Sequence, residues 1–165
     1  VVGNDGGFMY APGLDRGKSV PVKQLGDKVQ IPSYASMTYA GLLSMLHAYV
    51  DRNDPRVKAA YQWIQRNYTL EENRGLGTHK DPSKGQQGLY YYYMVFSKSL
   101  KVWGDALIVT ADGKTHNWRG DLAEALIKRQ RENGSWFNDE PRWWESDPVL
   151  STCYALEAFN HAYND

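Results

Sequence analysis

Five segments of this chain carry helical spacing, and they come in two kinds that alternate. Residues 33–50, "SYASMTYAGLLSMLHAYV", open on Ser33 as an N-cap and set apolar residues on every face, which predicts a buried helix. Residues 54–68, "DPRVKAAYQWIQRNY", begin with an Asp cap and a proline at the first helical position. They then gather Val57, Ala60, Tyr61, Ile64 and Tyr68 on one stripe, with Arg56, Lys58, Gln62, Gln65 and Arg66 turned to water. The pattern repeats: 88–103, "GLYYYYMVFSKSLKVW", is apolar nearly all round, while 117–131, "NWRGDLAEALIKRQR", is amphipathic about Leu122, Ala125 and Leu126. Residues 147–163, "DPVLSTCYALEAFNHAY", start on a second Asp-Pro and are apolar all round again.

A bundle with short loops gives every helix one wet face, whereas a double ring gives its inner helices none and its outer helices one. The alternation therefore predicts an all-α chain of the α/α toroid type, a partial ring of about five inner and outer helices forming one domain over residues 1–165. The buried segments recur every 55 to 60 residues or so, the period of one inner and one outer helix. A β-branched run, an Asp-Gly turn and a second short run over 106–118 predict a small β-hairpin insertion. Gly and Pro punctuate 12–32 and 70–88, which read as loops over one rim.

Charge narrows the partners. Nineteen basic and nineteen acidic residues cancel without forming blocks, so no nucleic-acid partner is expected. The single Cys153 cannot close an internal disulfide, and on an apolar helix it reads as core packing; no Cys/His spacing makes a zinc site. No apolar stretch reaches the roughly 20 residues of a membrane span. The compartment stays open, export included, since the first residues could follow a removed signal.

The stretch "LIKRQRENGSW" places Leu126, Gln130, Gly134 and Trp136 at a spacing that a plain helix stop does not need. Gly134 permits the exit from the helix, and a glutamine amide laid on an indole face would fasten one helix end to the next helix start. This resembles the QW repeat of the squalene–hopene cyclase, terpenoid cyclase and protein prenyltransferase superfamily. Part of the motif returns as Lys58, Ala59, Trp63 and Ile64, and the Gly-x-aromatic ending returns as Gly6-Gly7-Phe8 and Gly88-Leu89-Tyr90. The departures are Ala125, where the family prefers an aromatic residue, and Tyr68 at the glutamine position of the earlier repeat.

The resemblance implies paired helices around an apolar cavity, in a family whose enzymes ionise or protonate polyprenyl substrates or prenylate cysteines. The family's Asp-x-Asp-Asp acid is missing, because Val149 and Leu150 stand in the positions of its last two carboxylates; the magnesium-binding Asp-Asp-x-x-Asp is missing too. Asp147 and Glu145 are the remaining candidates for a catalytic acid, and both read first as a cap and a first-turn charge. Asp147, Cys153 and His161 are too widely spaced on one helix for a shared zinc ion, so neither metal nor cofactor is expected. Cavity or rim binding falls to Tyr34, Tyr39, Tyr90, Tyr91, Tyr154, Trp143 and Trp144, since of four consecutive tyrosines only one or two can face a cavity. The expected function is a binding or assembly module for an apolar or isoprenoid-like ligand; the alternative is an isoprenoid-processing enzyme whose acid lies on helices outside this chain. An open arc leaves apolar flanks, which predicts self-association or the remainder of a larger chain as partner.

Overall fold

Each predicted helix forms, and local chemistry fixes where each begins. The computed structural model describes residues 5–10, 23–25, 28–30 and 33–164. Helix α1 spans Ala35–His47, α2 Pro55–Asn67, α3 Leu89–Trp103, α4 Trp118–Arg129 and α5 Pro148–Tyr163. The side chains of Asp54, Asn117 and Asp147 accept hydrogen bonds from the backbone N–H groups of Arg56, Gly120 and Val149, filling donors that a helix start leaves open. Helix α3 is bounded instead by two glycines, Gly88 and Gly104, both in left-handed backbone. The cap of α1 falls on Tyr34 and not on Ser33, whose hydroxyl donates to the Asp5 carboxylate at 2.6 Å.

Helix α3 lies between α1 and α5, while α2 packs on α1, and α4 on α5 and α3. The starts of α1, α3 and α5 share one end of the molecule; at the other end Lys101 of α3 donates to the Asn164 carbonyl just after α5. Arg52, in the turn between α1 and α2, donates there to the Trp103 carbonyl at the end of α3. Three helices therefore run parallel as one layer, and the two amphipathic helices return behind them. The core between the layers is aromatic. Tyr39 meets Tyr92 and Phe96, Phe96 meets Trp118 edge-on at 6.1 Å, and Tyr61 stacks on Trp103 at 4.1 Å.

The hairpin over 106–118 forms between β3, Ile108–Val109, and β4, Thr115–His116. Within 12–32, read as loop, residues 23–30 instead carry a two-stranded ribbon of β1, Lys23–Leu25, and β2, Lys28–Gln30; the remainder of that loop lies outside the described residues. A larger correction concerns α5. It turns Ser151, Ala155, Ala158 and Ala162 inward but leaves Val149 70% and Leu156 56% exposed, so it is not apolar-and-buried all round. Cys153 sits on that open face and is exposed, which overturns its reading as core packing. Small inward residues let α5 approach its neighbours closely, and they leave its bulkier apolar side chains outside.

Candidate binding rim

Loop backbone and helix starts need polar partners, and at the shared end of α1, α3 and α5 three buried side chains supply them. Asn73 accepts from the Ser36 N–H at 2.9 Å and donates to the Ser36 hydroxyl and to the Gln87 carbonyl, which ties α1 to the approach of α3. Asn138 donates to the Gln86 carbonyl at 2.7 Å and to Glu145 at 2.7 Å. Glu145, fully buried, accepts from the N–H groups of Tyr90 and Tyr91 in the first turn of α3, and its own carbonyl accepts from the Ser151 hydroxyl in α5. A carboxylate under a helix N-terminus is favoured by the helix dipole. Burial pushes this carboxyl up from its usual range, against the pull of the donors around it.

Glu145 thus caps α3 and not α5, the helix it precedes in sequence. Asp147 does cap α5, by accepting from the Val149 N–H at 2.8 Å. Both candidate acids have their oxygens committed to donors, and no cluster of His, Cys, Asp and Glu suited to a metal occurs among the described residues.

Above this polar layer sits an aromatic rim. Tyr91 and Tyr154 meet edge to face at 5.9 Å, and both are half-buried. Tyr34 neighbours Tyr91 and Arg142, and burial raises its phenol well above the usual range. Trp143 lies over Gly88, where an added Cβ would come within 2.9 Å of the ring, so only glycine admits the indole there. The Arg142 guanidinium stands 4.9 Å above the Trp143 ring. Trp143 is 45% exposed and Trp144 81%, and both hold positive φ, +58° and +66°. Left-handed backbone is costly for a bulky side chain, at about 1–2 kcal/mol per residue. Two other candidates lie elsewhere: Tyr39 is buried between α1 and α3, and Tyr90 is buried with its hydroxyl donating to the Phe137 carbonyl. Of the four consecutive tyrosines only Tyr91 reaches the rim.

The glutamine–tryptophan spacing also has a defined geometry. Gln130 donates to the Gly134 carbonyl at 2.9 Å and closes the turn. Trp136, buried, donates through its indole N–H to the Leu126 carbonyl at 2.8 Å and through its backbone N–H to the Thr152 hydroxyl of α5 at 3.1 Å. The tie between α4 and α5 therefore runs through the indole, with the amide serving the turn. At the other end of the chain the Phe8 N–H donates to the Thr38 hydroxyl of α1 at 3.0 Å, so Gly6-Gly7-Phe8 repeats the backbone clasp of Gly134-Ser135-Trp136. Gly88-Leu89-Tyr90 does not, because Gly88 caps α3 directly.

Compared with known proteins, the chain matches no family model, no curated protein and no solved structure. The resemblance to the QW-repeat superfamily accordingly rests on the residues just described.

Sequence reasoning missed Asn73, Asn138 and Asp5. Asp5 accepts from Ser33, Gly7 and the Trp63 indole, and so holds the first described segment against α2. All three are short polar residues in Gly-rich stretches, "NDGG", "ENRG" and "FNDE", a composition that ordinarily reads as solvated turn.

Proposed function

We propose that this chain is an arc of an α/α toroid of the QW-repeat type that binds an apolar, isoprenoid-like ligand at its aromatic rim without a catalytic acid of its own. One observation carries the binding reading: two consecutive, exposed tryptophans kept in left-handed backbone beside the Tyr91–Tyr154 pair. Strain of this kind persists where the surroundings hold it in place, and it concentrates at ligand sites. The toroid reading is supported by the parallel layer of α1, α3 and α5 and by the clasp that recurs at Thr38 and Thr152. Committed oxygens on Glu145 and Asp147 support a binding role over proton donation.

The test uses farnesol as probe, followed by tryptophan fluorescence. Saturable binding is expected, weakened at least tenfold by Tyr91→Ala, which removes a stacking face from the rim. Incubation with squalene should return the substrate unchanged. Cyclised product that disappears in Asp147→Asn would overturn the non-catalytic reading, and farnesol binding untouched by Tyr91→Ala would remove the rim from it.

A further inference from the structure

The open face of α5 has a counterpart that is closed within the same chain. Helices α1 and α5 each receive the N–H of a Gly-x-aromatic segment on a first-turn threonine hydroxyl, Thr38 and Thr152. Aligning the two helices on those threonines sets Val149, Cys153 and Leu156 against Ala35, Tyr39 and Leu42. On α1 these three are buried by the helices packed over them, at 1%, 1% and 0% exposure; on α5 Val149 and Leu156 stand 70% and 56% exposed, and Cys153 is exposed. The fold therefore covers this face where a neighbour is at hand.

We infer that a second copy of this chain covers the α5 face, through an antiparallel pairing of α5 with α5 about a two-fold axis at Leu156. The stripe runs Val149, Cys153, Leu156, Asn160, Tyr163, a four-three-four-three spacing that keeps one seam straight along a helix. Antiparallel pairing sets Leu156 on its own copy, Val149 on Tyr163, and Cys153 on Asn160, so the polar residue faces the thiol and not an aliphatic side chain. No charged residue lies on the stripe, and the neighbouring Glu157 is paired with His161 at 3.6 Å. With nineteen charges of each sign, the chain has no net repulsion to hold two copies apart. A closed two-fold contact of this kind is the commonest symmetry among soluble oligomers. The seam is about 21 Å long. A contact this small predicts a micromolar dimer.

The whole chain is tested by sedimentation from about 5 to 500 μM, a span that brackets micromolar association. A monomer–dimer equilibrium is expected, shifted at least tenfold toward monomer by Leu156→Asp, with an unchanged helical circular dichroism spectrum because Leu156 is half exposed. Register is read by crosslinking. Under mild oxidation N160C should form covalent dimers through Cys153 of the second copy, whereas the wild type should form few, because two copies of Cys153 stand about six residues, or 9 Å, apart along the seam. Within one chain positions 153 and 160 are about 10 Å apart along the helix, beyond the reach of a disulfide. A single monomer at all concentrations would overturn the inference. So would a dimer insensitive to Leu156→Asp, wild-type crosslinking equal to that of N160C, or association beyond two copies. Each of these readouts is independent of farnesol binding.

Discussion

Two tryptophans and one glutamate decide most at the level of single residues. Trp144 is mostly exposed yet holds a left-handed backbone, so Trp144→Gly should leave stability unchanged or raise it by about 0.5–1 kcal/mol, measured by chemical denaturation. The same change should weaken farnesol binding if the strain serves the rim. Trp143→Gly is expected to lower stability, because its ring seals Gly88 at the start of α3. Glu145→Gln places an amide N–H₂ where one oxygen now accepts, and a cost of about 1–3 kcal/mol is expected for the donors left unpaired. Its pH dependence follows from the raised carboxyl. The folded chain holds this proton more tightly than the unfolded chain does. The glutamate therefore contributes most below its unfolded pKa, and the contribution fades as pH rises through the folded one. The stability gap between wild type and Glu145→Gln should accordingly be wider at pH 4 than at pH 7; a gap that widens toward neutral pH would show that the donors outweigh burial.

Between elements, the clasps make the sharpest claim. Thr38→Val and Thr152→Val each strand one backbone donor, of Phe8 or Trp136, at an expected cost of about 1 kcal/mol apiece. The two sites sit on α1 and α5 with α3 between them, so the double substitution should be additive within about 0.5 kcal/mol in denaturant melts. At this scale the sequence was most legible. Asp-Pro starts, one-sided stripes and all-round apolarity announced every helix, because capping and burial are written in neighbouring residues. The hydrogen-bond pattern behind the Gln130–Trp136 spacing was not legible, since the indole reaches back ten residues to Leu126 and across to α5. Glu145 misled for a related reason: proximity in sequence suggested α5, while the fold set it beneath α3. Composition could not reveal that α5 is half open either, because burial depends on which neighbours are present.

For the molecule as a whole, the account joins a parallel inner layer, a buried polar seam of Asn73, Asn138 and Glu145, and an aromatic rim built upon that seam. The seam spends the polar groups inward, which leaves Tyr91, Tyr154, Trp143 and Trp144 as the chemistry presented outward at that end. That arrangement is suited to stacking on an apolar or unsaturated ligand. The most direct measurement is a farnesol titration followed by the indole N–H resonances of the six tryptophans in a nitrogen-labelled sample, assigned by single substitutions. The account predicts that Trp143 and Trp144 shift together and saturably while the buried Trp118 and Trp136 hold still. Shifts confined to the buried indoles, or none at ligand saturation of the solution, would contradict it.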